Sequence, residues 1–364
     1  MKYDQIKIFR RVGEFCLFIG IALCMAPLSC VKPLTPEEFI KESCGGYTVV
    51  AKLRTAGYSQ DVIAIDSCDY LARGQGLIAI VNIKDPQHPK LLSEILYQNA
   101  IEGYSKKIAY TKNSAGTEIL YCADGRPGIA IVNVTDKLHP KVLNSNNGYK
   151  PTVGLCVCNN ILISMTSADG IRFSDISNPK KINLVHDPQV PGYAESVCMS
   201  SDSSYALVAI GEGGFIMYNF SPYKKGTIAI DTVTKTYISN HSYLFGRFDL
   251  PGSAEDITTK PGTNYACIAC GPAGLQIIDY SDTSNIRLAG SFVTGGYAKA
   301  VRVDGDRAYL AIEAEGVQII DISNVASPKL IGKVKLSDVW GIDVKNGYVY
   351  AADRQEGLII IKIP

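Results

Sequence analysis

Seven short turns share a pattern: GYSQD (57–61), GYSKK (103–107), GYKPT (148–152), GYAES (192–196), GSAED (252–256), GYAKA (296–300) and SDVWG (337–341). Aligned, they place Gln60, Lys106, Pro151, Glu195, Glu255, Lys299 and Trp340 at one position. A packing residue would be constant there. Variation among acid, base, amide and aromatic on a repeated frame is what a binding surface needs. Neighbouring turns add Arg73, Arg126, Asp169, Glu212, Glu313, Glu315, Asp353 and Arg354 to the same rim. Two chemistries are open to this set. Glu195 and Glu255, on consecutive copies, could serve as acid and base toward a glycan; otherwise the rim holds a ligand without turning it over, or is simply solvated.

No catalytic signature stands out. There is no His-x-x-x-His, no Gly-x-Ser-x-Gly elbow and no P-loop, so no catalytic residue, metal ligand or cofactor is assigned. Cys267-Ile-Ala-Cys270 has the spacing of a metal or redox pair, but strand residues three apart face opposite sides of a sheet. His88 and His139 occupy matching places in DPQHPK and TDKLHPK, which is turn chemistry copied by duplication. Cys44 and Cys68 lie near the two ends that must meet, where a disulfide could staple the ring shut; two free thiols are the alternative.

The elements that carry these turns repeat as well. Gly76, Gly128, Gly170, Gly214, Gly274, Gly316 and Gly357 each open a β-branched apolar run, and they are spaced 52, 42, 44, 60, 42 and 41 residues apart. The runs are too short for helices, and in most copies Asp/Asn-x-Ser/Thr punctuation ends them. A Tyr-x-Ala strand and an inner strand precede each glycine, and an outer strand follows. Four short strands per forty residues describe a propeller blade. The phrases Gln318-Ile-Ile-Asp321 and Gln276-Ile-Ile-Asp279 resemble those of the LVIVD-repeat family, a resemblance that runs over residues 46 to 364 and implies an envelope-associated propeller.

The expected fold is therefore all-β: a seven-bladed β-propeller of four-stranded antiparallel blades. The last copy ends at Pro364 after three strands, leaving an edge that proteins avoid exposing. Residues 47–53 read as the missing outer strand, so the ring is expected to close by their pairing beside 357–363. The 60-residue spacing marks an insertion at about 221–247, between blades 4 and 5.

Residues 1–29 read as a signal peptide, basic to Arg11 and apolar from Phe15 to Leu28. Ser29-Cys30 resembles a bacterial lipobox, with Leu28 one place closer to the cysteine than usual. The resemblance implies lipidation of Cys30, with palmitate among its acyl chains, and residues 30–45 form a tether. Net charge is +1 for the whole chain and about −1 without the first 29 residues, so no nucleic-acid footprint exists. The expectation is a monomeric, non-enzymatic interaction scaffold. It would be lipid-anchored in the bacterial cell envelope, at the outer membrane and facing either periplasm or surface. Its partner would be a protein or a glycan, contacted at the rim; the alternative is a glycan-acting enzyme.

Overall fold

The computed structural model describes residues 43–55, 57–74, 77–96, 105–124, 128–144, 151–166, 170–188, 193–224 and 244–364. The expected signal peptide, Cys30, Arg126, Asp169 and most of the 221–247 insertion lie outside these residues. A four-residue helix, Ser221–Lys224, opens that insertion, and the outer strand of blade 4, Leu244–Phe248, resumes at its end.

Seven four-stranded antiparallel sheets form, six of them with strands in sequential order. Blades 1 to 6 begin with inner strands at Ser59, Ser105, Thr152, Ser196, Asp256 and Ala300. Blade 7 takes three strands from Val339–Lys345, Tyr348–Asp353 and Gly357–Lys362. Its fourth is Thr48–Leu53, which pairs antiparallel with Gly357–Lys362 from Thr48 opposite Lys362 to Leu53 opposite Leu358. The ring is closed by the strand expected from the sequence.

Alternation within the apolar runs explains why they are continuous. Ile359 and Ile361 pack into a core with blade 6, while Leu358 and Ile360 pack into one with blade 1. Each strand of this kind buries both faces, so period-two polarity is absent. Among the described residues there are seven such cores, one at every blade interface. An open arc of seven blades would have six.

The punctuation after each run is an Asx turn. The side-chain oxygens of Asn82, Asn133, Asp175, Asn219, Asp279 and Asp321 each accept the backbone N–H two residues on, at 2.8–3.0 Å. This reverses the chain toward the outer strand without using ladder hydrogen bonds. In the following turn His88 and His139 each place Nδ1 against Asp85 or Asp136, at 2.8 and 3.1 Å. They are exposed turn residues.

The anchor glycines have a different cause. At Gly316 the backbone has φ +81°, and a Cβ there would lie 2.2 Å from the Val334 carbonyl of the outer strand. At Gly357 φ is +87°, and the Cβ would lie 2.4 Å from the Leu53 carbonyl. The N-terminal strand thus presses on blade 7 as an ordinary outer strand presses on blade 6.

The possible disulfide is absent, and Cys44 and Cys68 are free thiols. Cys44 pairs by backbone with Lys333, on the outer strand of blade 6, at 2.8 Å. Cys68 starts the second strand of blade 1 and is buried in the core between blades 1 and 2. The incoming chain docks one blade earlier than the sequence suggested, with Tyr47 buried between blades 6 and 7, so the tether ends before Cys44. Cys267 and Cys270 belong to different cores, as opposite strand faces require.

The axis is spanned by buried charge. Asp256 receives Ser196 Oγ at 2.6 Å, Arg302 Nη1 at 2.8 Å, the Val301 N–H at 3.1 Å and Lys107 Nζ at 3.3 Å. Lys107 also reaches Asp61 at 3.4 Å, and Asp61 accepts the Ile108 N–H. Blades 1, 2, 4, 5 and 6 are tied by these contacts. Burial alone would raise the Asp256 carboxyl. The charges of Lys107 and Arg302 and the hydrogen bonds of Ser196 and Val301 outweigh it and bring it down to about 2.

Two outcomes follow for stability. Gly357→Ala should destabilise the fold by on the order of 3 kcal/mol, since it adds a backbone clash to an unfavourable φ. Gly347→Ala, with similar φ but open space around its Cβ, should cost only about 1 kcal/mol; urea denaturation compares them. Asp256 has a folded pKa below its unfolded value. Its contribution, on the order of 2 kcal/mol, is therefore present above pH 4 and lost as pH falls toward 2. Asp256→Asn should be less stable at pH 6, and its urea midpoint should fall less than the wild type's between pH 4 and pH 2.

Candidate functional site

Each blade brings its inner strand to the axis with an irregularity at the same place. Pairing in blades 1, 2, 3 and 7 skips a residue between Ser59 and Asp61, Ser105 and Lys107, Thr152 and Gly154, and Val339 and Gly341. The skipped residues are Gln60, Lys106, Val153 and Trp340. In blades 4, 5 and 6 the residue just before the inner strand, Glu195, Glu255 or Lys299, donates its N–H to Ala209, Ala269 or Ala311 at 2.8–2.9 Å. A β-bulge re-aims one side chain out of the pleat, and here it turns seven side chains toward the axis.

These seven, with Lys107 beneath them, line one cavity of about 260 Å³. Six are residues aligned from the sequence. Blade 3 is the exception, where Val153 rather than Pro151 holds the position. Proline has no N–H to donate at a site whose N–H is used in the neighbouring blades, and the turn of blade 3 runs two residues longer.

Half of the mouth is internally satisfied. Glu255 accepts Tyr297 Oη on one oxygen and Lys299 Nζ on the other, both at 2.6 Å. Burial pushes its carboxyl up, but these bonds outweigh burial and hold it below the usual range. Lys299 Nζ also lies 4.7 Å from the Trp340 ring centroid, and the Arg354 guanidinium lies 4.3 Å from it. Arg354 reaches Tyr58 at 5.2 Å and Asp338 at 3.6 Å, and Trp340 Nε1 donates to Asp338 at 2.9 Å. Two cations already face this indole, so it is not a free platform for a sugar ring. Beneath it, buried Asp353 accepts hydrogen bonds from Ser337, Asp338, Gln355 and Glu356 and shapes the turn.

The other half is unsatisfied. Among the described residues, the Lys106 ammonium and the Glu195 carboxylate have no hydrogen-bond or ion-pair partner, and buried Gln60 has an unpartnered Nε2. Burial raises the Glu195 carboxyl, the nearby Glu255 charge raises it further, and Lys106 and Lys299 offset part of the rise.

The neighbouring turns contribute less than the sequence suggested. Arg73 is fully buried and leaves the rim: its Nη1 lies 2.7 Å from Glu94, on the outer strand of blade 1. It shares a strand face with Leu71, which packs toward blade 7, so its side chain runs between sheets. Glu315 is taken by Lys333 and Lys335, at 2.8 Å each. Glu313 stays at the mouth with φ +26°, and burial raises its carboxyl. Tyr58 and Tyr193 stand exposed at 52% and 67%, so they do not pack blade against blade. Lys107, which sequence alignment passed over, is the floor of the cavity; its place beside Lys106 in GYSKK was the available signal.

The LVIVD repeat model matches residues 251–294, 295–335 and 337–363, which are blades 5, 6 and the three C-terminal strands of blade 7. No curated protein matches the chain. Among solved structures, the computationally designed Ika8 protein is similar, with a TM-score of 0.58 and 11% identity over 86% of this chain and 99% of that one. At that identity the likeness concerns the fold alone. The chain is thus a closed seven-bladed β-propeller of four-stranded sheets that carries LVIVD repeats in its last three units.

Proposed function

We propose that this protein is a non-enzymatic binding module, tethered to the bacterial envelope through lipidated Cys30, that holds a charged ligand in the propeller mouth. One observation carries the reading. Seven equivalent bulges aim different side chains into a single cavity, and three of them, Gln60, Lys106 and Glu195, carry a polar group without a hydrogen-bond or ion-pair partner among the described residues. Unpaired charges in a partly buried cavity cost desolvation energy that an incoming ligand of complementary charge recovers. The sandwiched Trp340 ring favours a charged ligand over a stacked glycan. The sequence resemblance at Ser29-Cys30 supports the anchor.

An enzymatic reading has one observation in its favour. Glu195 is shifted up and Glu255 down, the divergence expected of an acid and its partner base. However, both oxygens of Glu255 are engaged by Lys299 and Tyr297, which leaves it poorly placed to take a proton. The binding reading accounts for the same groups without that difficulty.

The test compares the wild-type full chain with Cys30→Ser and with a Lys106→Gln/Glu195→Gln double variant, each expressed in a bacterial host. Cys30→Ser should lose labelled palmitate and move from the membrane to the soluble fraction. Detergent-solubilised wild-type protein should retain low-molecular-weight material from an envelope extract, and the double variant should lose at least tenfold of it while melting at the same temperature. Equal retention by both would contradict a site in the mouth, and membrane residence of Cys30→Ser would contradict the lipid anchor.

A further inference from the structure

The charges of the mouth can be paired off until few remain. Lys299 neutralises Glu255 at 2.6 Å. Lys107 is held between Asp61 and Asp256. What is left facing the cavity is one ammonium, Lys106, and one carboxylate, Glu195. They come from blades 2 and 4, and Val153 of blade 3 lies between them as an apolar strip. On the far side of Lys106, blade 1 supplies Gln60, 5% exposed, whose Nε2 has no partner. Round the ring the order is therefore amide donor, cation, apolar side chain, anion.

We propose that the mouth binds a small zwitterion, an α-amino acid or dipeptide. Its carboxylate would be held by Lys106 and the Gln60 amide, its ammonium by Glu195, and its carbon portion would lie over Val153. The proposal rests on the binding reading above and names the chemistry of its ligand.

A singly charged ligand fits less well. An anion would engage Lys106, whose charge otherwise offsets part of the Glu255 repulsion, and leave the half-buried Glu195 carboxylate without a direct partner. A cation would do the reverse. Each uncompensated charge in a confined site is costly, whereas a zwitterion neutralises both and adds no net charge. A cavity of about 260 Å³ lies below the usual span for drug-sized ligands, which suits one or two residues rather than an oligomer. The Lys299 and Arg354 cations on Trp340 fix the opposite wall, so the ligand meets a preformed surface there.

The sequence contains one tryptophan, so indole emission from the full chain in detergent micelles reports the mouth. The probes are alanine and alanyl-alanine, with N-acetyl-alanyl-alanine and alanyl-alanine amide as singly charged analogues. Alanine, alanyl-alanine or both should change Trp340 emission saturably, with matching heat in titration calorimetry. Both analogues should bind at least tenfold more weakly than alanyl-alanine, or not at all if alanine alone is taken. Glu195→Gln and Lys106→Gln should each weaken zwitterion binding about tenfold, with the melting temperature unchanged.

Analogues that bind as tightly as the zwitterion would overturn the assignment, as would no emission change and no heat with either zwitterion up to tens of millimolar. The analogue comparison uses only wild-type protein, so a misfolded variant leaves the test standing. If these probes fail while the double variant still loses envelope material, the zwitterion falls and the binding reading stands. If the double variant loses nothing, both fall.

Discussion

The contact on which the rest depends is that between an outer strand and the glycine that opens its neighbour. Where the outer strand passes, its carbonyl comes within about 2.4 Å of the point a Cβ would occupy, at Gly214, Gly274, Gly316 and Gly357 alike. That closeness lets a fourth strand cap each blade. In blade 7 it is made by Leu53, some three hundred residues earlier in the chain. Because the fourth strand there comes from the N-terminal side, the ring cannot form until both ends are present. Loop closure over such a span costs entropy, and the seventh core, between blades 7 and 1, offsets it through burial of Val62, Leu71, Tyr350, Leu358 and Ile360.

Closure also makes the mouth. Seven bulges converge only if the seventh sheet returns to the first, and the half-circle of contacts from Glu255 through Lys299, Trp340 and Arg354 to Tyr58 crosses that junction. Below it, the network of Asp256, Arg302, Lys107 and Asp61 fills the axis with paired charge. The upper layer is mixed and half open; in the lower layer Asp61 and Asp256 are paired with Lys107 and Arg302. The stabilising network and the proposed binding site thus sit on the same inner strands.

Much of this was legible because duplication repeats its own reasons. An Asx turn needs an Asp or Asn at the end of each run, and a carbonyl contact needs a glycine at its start. The copies therefore announced blade count, strand order and closing strand. The ring of mouth residues was legible for the same reason, except where the copies differ in length: two extra residues in blade 3 moved the position from Pro151 to Val153. What could not be read was side-chain direction at strand ends, which sent Arg73 between sheets and left Tyr58 and Tyr193 exposed. Nor could the sequence say where the incoming chain docks. Cys44 meets blade 6 instead of blade 1 because Tyr47 wedges over Gly332, where a Cβ would lie 2.2 Å from its ring.

Hydrogen–deuterium exchange resolved to the segments 48–53 and 357–362 tests the closed ring most directly. The account predicts that both segments exchange slowly and together, at the rate of global opening, because each supplies the other's ladder partners. Exchange of 48–53 orders of magnitude faster than 357–362 would show a strand that frays independently, and a propeller held by something other than this pairing.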